Sequence, residues 1–292
     1  MGTVEALSVW PVAQEHGREQ RRRRYLPESS AHPGKMLPAL AREAILRYTG
    51  PDDLVLDPMC GIGTTLVEAI HLGRRAYGLE LEPRWAEIAE ANVEQAEESA
   101  DGDGYAFVEQ ADARNITDVL EGFEQAFTLV LTSPPYGPST HGHVRKHPDH
   151  VEKLNTYYSN NPNNLAHLPA RRHRRNRRPD FDSVLTEILA GCARMLDPDE
   201  GRLVLTVRPY RQHGALVDLP GLLIKLAAQS GLEFASREVA LLCGLRDSEL
   251  VPRASFFQLH HQRAGKIERM LLIAHEDVLV FTVATNARRR SD

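Results

Sequence analysis

The sequence predicts an α/β fold, a doubly wound parallel sheet with helices on both faces, and three observations predict it. Short apolar runs alternate with segments whose apolar residues recur at helical spacing, the pattern of a parallel sheet with crossover helices. Several of those runs end on an acidic or glycine-rich stretch, and open α/β sheets hold their ligands at the carboxyl ends of their strands. A chain of 292 residues with 42% hydrophobic and 26% charged residues is long enough, and ordinary enough, to bury one large core.

Residues 1–30 show no periodicity and contain the charge run Arg21 to Arg24, and they read as an N-terminal arm, solvated over its first twenty residues. His32-Pro33-Gly34-Lys35 then precedes a helix whose face is Leu37, Leu40, Ala41, Ala44 and Ile45, stopped at Thr49-Gly50-Pro51. Strand Leu54-Val55-Leu56 runs into the loop Asp57-Pro58-Met59-Cys60-Gly61-Ile62-Gly63-Thr64-Thr65, followed by a helix through Leu66 to Ile70. A second strand, Arg75 to Leu79, closes on Glu80, and a helix opens at Pro83. The third strand, Tyr105 to Glu109, closes on Gln110-Ala111-Asp112. The fourth, Ala126 to Thr132, closes on Ser133-Pro134-Pro135-Tyr136, where two prolines force a rigid exit because each lacks an N–H and fixes its own φ. Periodicity vanishes over 137–179 and returns in a helix carrying Phe181, Val184, Leu185, Ile188, Leu189, Cys192 and Met195 on one face. Strand Arg202 to Val207, a helix ending at Ser230-Gly231, and two late strands at about Phe234 to Leu242 and Asp277 to Val283 complete the chain. An insertion at 245–275 separates the late strands, and 285–292 is a frayed tail.

No apolar segment approaches the length that spans a bilayer, and three scattered cysteines, Cys60, Cys192 and Cys243, fit reduced thiols in a cytoplasm. No membrane partner and no metal site are expected; His275-Glu276-Asp277 lacks a helical histidine pair and reads as a strand entry. The net charge of −5 gives no global case for a polyanion partner, but its distribution does. Residues 137–179 hold nine Lys and Arg against Asp149 and Glu152, a local +7 that leaves −12 elsewhere. Arg171, Arg172, Arg174, Arg175, Arg177 and Arg178 form its densest run, a candidate phosphate-binding surface. His260, His261, Arg263, Lys266 and Arg269 are a second basic group, equally readable as a structural excursion.

The loop at 57–65 brings backbone N–H groups close to a ligand, yet Leu66 stands where the third glycine of a dinucleotide fingerprint belongs. Asp57 at its mouth repels phosphate and suits an ammonium group. Glu80 ends the next strand, where an acid holds ribose hydroxyls, and Asp112 can accept from an adenine amine. Ammonium, ribose and adenine without phosphate describe S-adenosyl-L-methionine, and leave a nicotinamide-dependent dehydrogenase a distant alternative.

Asp57 to Thr65 together with Thr132-Ser133-Pro134-Pro135-Tyr136 resembles the amino-group DNA methyltransferases, which methylate the exocyclic amine of cytosine at N4 or adenine at N6. The resemblance spans His32 to Val283. It implies a seven-stranded Rossmann-like methyltransferase domain over 31–284, with its last two strands in an antiparallel hairpin. It implies a cofactor set of His32, Lys35, Asp57, Pro58, Cys60, Gly61, Gly63, Thr64, Glu80, Leu81, Asp112 and Ala113, with His32 to Lys35 beside the methionine moiety. Ser133, Pro134, Pro135 and Tyr136 would hold the target base, and Ser-Pro-Pro-Tyr is similar to the N4-cytosine form. Met59-Cys60 departs from the family's loop, and the cofactor motifs precede Ser-Pro-Pro-Tyr where many N4-cytosine enzymes have the reverse order. Methyltransferases of guanosine N2 in tRNA share the present order, so nucleic acid is the expected partner, DNA first and RNA as the alternative. A non-catalytic nucleic-acid-binding module is the reading from outside enzymes.

Overall fold

The computed structural model describes residues 7–135, 144–146, 151–153, 161–168, 179–212, 215–253 and 271–284. The strands are β1 (Val9–Trp10), β2 (Leu54–Asp57), β3 (Arg75–Glu80), β4 (Tyr105–Gln110), β5 (Leu129–Thr132), β6 (Arg202–Val207), β7 (Leu232–Leu241) and β8 (His275–Val283). They form one sheet in the order β1-β7-β8-β6-β5-β2-β3-β4. The ladders from β4 through β3, β2 and β5 to β6 are parallel, as the alternation of strands and helices predicts. β8 runs antiparallel to both β6 and β7, which confirms the expected C-terminal hairpin.

The helices α1 (Gly17–Arg21), α2 (Pro38–Tyr48), α3 (Thr64–His71), α4 (Pro83–Ser99), α5 (Ile116–Val119), α6 (Phe181–Met195) and α7 (Leu219–Gln229) divide between the two faces. Leu40 and Ile45 of α2, Leu66 and Ile70 of α3 and Trp85 of α4 bury one face. Ile116, Leu185, Leu189 and Leu223 from α5, α6 and α7 bury the other. In β5, Leu129 and Leu131 join the first core and Val130 the second, which is why these three successive residues are all apolar rather than alternating. Its regular ladder starts at Leu129, later than the sequence suggests, because Phe127 makes only an isolated bridge to Leu196.

The first twenty residues, expected to be a solvated arm, instead dock on the sheet at Trp10, Val12 and Ala13, although most of 14–20 is exposed. Trp10 is fully buried, Val12, Ala13 and Tyr25 are buried, and β1 pairs in parallel with Val239 and Ala240 of β7. The Trp10 indole N–H donates to Glu238 at 2.6 Å, which also accepts from the Tyr48 hydroxyl at 2.8 Å. The arginine run is likewise partly internal: Arg24 pairs with the buried Glu68 at 3.0 Å, and Arg21 donates to the carbonyl of Met36. A two-residue strand and short turns carry no periodicity, so the sequence pattern could not reveal this packing. Nothing longer than a loop was expected over 137–179, yet Val144–Lys146 pairs with Val151–Lys153 and a 3-10 turn forms at Leu165–His167.

Candidate active site

The loop that follows β2 is shaped by its two glycines. Gly61 and Gly63 take φ of +56° and +76°, a left-handed conformation that costs a side-chain-bearing residue roughly 1–2 kcal/mol. Space is short as well: a Cβ on Gly61 would lie 3.2 Å from Nε2 of His32, and one on Gly63 would lie 3.3 Å from Cβ of Ala89. Cys60, the departure from the family pattern, turns inward; a Cβ on Gly78 of β3 would meet its Sγ at 2.9 Å. The thiol is buried, and that burial, with Glu80 and Asp57 adding to it, pushes its pKa far up. Met59 instead faces the cleft.

Two concavities meet at Met59. One, of about 380 Å³, is lined by His32, Gly34, Lys35, Asp57, Cys60, Gly61, Thr64, Thr65 and Ser133 among others. The other, of about 450 Å³, is lined by Pro58, Glu80, Leu81, Ala111, Asp112, Ala113 and Pro135, and also by Asn163, Asn164, Leu165, Val184 and Ile188. Every cofactor residue expected from the sequence thus lines one half or the other except Gly63, which holds the turn. Ser133 opens on the first half and Pro135 on the second, with Pro134 buried between them.

Asp57 and Glu80 are buried, Asp112 is half-buried, and all three are partly engaged by the protein itself. One Asp57 oxygen accepts from the Met59 N–H at 3.1 Å and the other from the Thr65 hydroxyl at 2.6 Å. Burial raises the Asp57 pKa to about 6, against the Thr65 and Thr132 hydroxyls and the Met59 amide, which lower it. Glu80 accepts from the N–H groups of Gly61 and Glu82, both at 2.9 Å, and burial raises its pKa to about 7. Each carboxylate oxygen has two acceptor sites, so both acids retain capacity for a ligand. Asp112 caps the 3-10 turn at Ala113–Asn115 and is gripped by the Arg114 guanidinium at 2.5–3.1 Å. Its burial is outweighed by those bonds, and its pKa falls. Lys35 donates to the carbonyls of Ser30 and His32, and burial, reinforced by Arg21, lowers its pKa to about 8. The His32 ring stands edge-on to Trp85, with centroids 4.7 Å apart.

Sequence reasoning missed Thr65, which rather than Thr64 holds Asp57, and it missed Asn92. That fully buried α4 residue donates to the carbonyl of Ile62 at 2.9 Å and accepts from the Leu26 N–H at 2.8 Å, fastening the N-terminal segment to the glycine loop. Tyr136, the arginines 171, 172, 174, 175, 177 and 178, and the basic group 260–269 lie outside the described residues. Among the described residues, no cluster of three or more His, Cys, Asp or Glu could hold a metal ion, and no helix is long and apolar enough to cross a membrane.

Comparison with known proteins finds partial matches over the first part of the site. Residues 2–91 match the family described as DNA methylase. A tRNA (guanine(10)-N2)-dimethyltransferase of Methanocaldococcus jannaschii is 35% identical over 111 residues, 37% of this chain and 31% of that protein. Its counterpart in Pyrococcus abyssi is 30% identical over 129 residues, 44% of this chain and 37% of that protein. The type II methyltransferase M.BglII of Bacillus subtilis is 39% identical over 62 residues, 21% of this chain and 17% of that protein. This chain therefore spans little more than a third of these relatives at most. The family match lies over the glycine loop, Glu80 and the N-terminal segment that braces them, and it is over this part that the chain is similar to the amino-methyltransferases.

Proposed function

We propose that this protein transfers a methyl group from S-adenosyl-L-methionine to an exocyclic amine of a nucleobase in DNA, with cytosine N4 the first choice. The observation that carries the reading is the position of Ser133-Pro134-Pro135 across the junction of two concavities, one holding Asp57 and Lys35, the other Glu80 and Asp112. The donor supplies an electrophilic methyl on a sulfonium centre. Asp57 and Lys35 suit the ammonium and carboxylate of its methionine part, and Glu80 suits ribose hydroxyls. The cleft offers buried acids where a phosphate-bearing cofactor would need donors or cations, which supports this donor over a dinucleotide.

A base amine is a weak nucleophile because its lone pair is delocalised into the ring, and its reaction depends on orientation. The Ser133 side chain and the Pro134 carbonyl accept from the amine and localise that pair. The prolines keep both acceptors fixed at the end of β5. Tyr136 stacks on a base swung out of its helix, and the arginine run 171–178 holds the phosphate backbone.

The relatives named as tRNA (guanine(10)-N2)-dimethyltransferases favour a second reading, the same transfer to guanosine N2 in tRNA. Incubating the protein with labelled donor and either duplex DNA or tRNA, then digesting and identifying the labelled nucleoside, tests both. N4-methyl-2′-deoxycytidine from DNA is expected. Label confined to tRNA guanosine would sink the DNA reading and establish the second.

A further inference from the structure

We infer that residues 163–165, inside the long segment between β5 and α6, close the Glu80 half of the cleft, and that Asn164 is a positioning residue setting donor affinity through Glu82. The inference rests on the donor reading above and deepens it, because the segment belongs to none of the motifs that suggested that reading.

Four observations carry it. Asn163, Asn164 and Leu165 line the same concavity as Glu80, Leu81 and Asp112. The Asn164 amide donates to the buried Glu82 carboxylate at 3.1 Å across 82 residues of sequence. The Glu82 N–H in turn donates to Glu80 at 2.9 Å, so Asn164 lies two hydrogen-bonded steps from the acid assigned to the ribose. Finally, the Asn164 carbonyl oxygen caps the 3-10 turn by accepting from the Ala166 N–H at 3.0 Å, and Leu165 and Leu168 are buried in the core beside α6.

The segment is therefore anchored by two leucines and aimed by one amide. An amide suits the position for a specific reason. Glu82 is only 8% exposed, and a donor at its carboxylate offsets part of the cost of burying it. A neutral amide supplies such a donor without itself adding a charge beside the half of the cleft assigned to the ribose. A carboxylate at position 164 would instead set two like charges against each other and push the wall off the pocket.

Calorimetric titration of the whole protein with S-adenosylhomocysteine tests the inference. Asn164→Asp is expected to weaken binding about 10-fold. Adding Glu82→Gln reverses donor and acceptor, and the double variant is expected to return to within about 3-fold of the wild type, the margin of one neutral hydrogen bond. A role confined to folding would not give this rescue. Wild-type affinity in Asn164→Asp overturns the inference, as does a double variant that melts like the wild type but still binds weakly. If Asn164→Asp does not fold, the double variant alone decides. A wild type that binds no S-adenosylhomocysteine defeats the donor reading itself, which separates that failure from this one.

Discussion

The two halves of the cleft are built in opposite ways. The half holding Asp57 and Lys35 is polar and crowded, and its walls come from the glycine loop and from the N-terminal segment that Trp10, Tyr25, Glu68 and Asn92 hold in place. The half holding Glu80 is more apolar, with Leu81, Ala113, Val184 and Ile188 around one buried acid, and its outer wall comes from a segment inserted far along the chain. One half is thus kept in shape from the N-terminal side of the sheet, the other from α6 and the insertion. The lesson is that damage to one support should be felt at one half first.

The largest test of that division is Trp10→Ala. Removing a fully buried indole is expected to cost about 3–5 kcal/mol in chemical denaturation, and no such loss follows if residues 9–31 are merely solvated. Asp57→Asn comes next: losing a charged partner in the first half should weaken S-adenosylmethionine binding about 10- to 100-fold while leaving nucleic-acid affinity within twofold, both read by equilibrium binding. An equal loss in both affinities would show that the halves are not separable.

A pH series probes the acids of both halves together. Asp57 and Glu80 titrate near 6 and 7, raised by burial. A cationic donor prefers them ionised, so its affinity should climb about 10-fold or more between pH 5.5 and 7.5, with protons released on binding. Glu80→Gln should flatten the upper part of that rise. Without donor the sign reverses: the folded protein keeps these protons longer than the unfolded chain, so their contribution to stability declines as pH rises through the same range. The smallest effect is expected from Gly61→Ala, about 1 kcal/mol of strain at φ +56°, detected as a lower melting temperature and accompanied by weaker donor binding through the displaced His32 ring.

Asp57, Glu80 and Ser133 could be read from sequence because each terminates an apolar run, and a strand's end is a place that composition and spacing define. Trp10 could not, since a two-residue strand leaves no period and its meaning lies in Glu238, far along the chain. The choice between Thr64 and Thr65 depends on where α3 begins, because neighbouring residues on a helix point about 100° apart. Asp112 was legible as a cleft residue but not as the partner of Arg114, a contact created by the local 3-10 turn. Asn164 was hidden most completely, because nothing in an asparagine-rich stretch distinguishes the one that meets a buried carboxylate.

The antiparallel β7 and β8 carry a consequence of their own. Leu241 pairs with His275, and Asp277 pairs with Val207 at the end of β6, so the connection between β7 and β8 leaves and re-enters the sheet on the rim where Ser133 lies. The segment between β5 and α6 opens on that rim too, but Asn164 ties it to Glu82. Where the β7–β8 connection is described, its hairpin is fastened instead to Gln14, on the far side of the sheet from α6. Lengthening or trimming the described hairpin at 243–253 would therefore pull first on the N-terminal segment at Gln14, whereas a change at 163–165 would pull on Glu82.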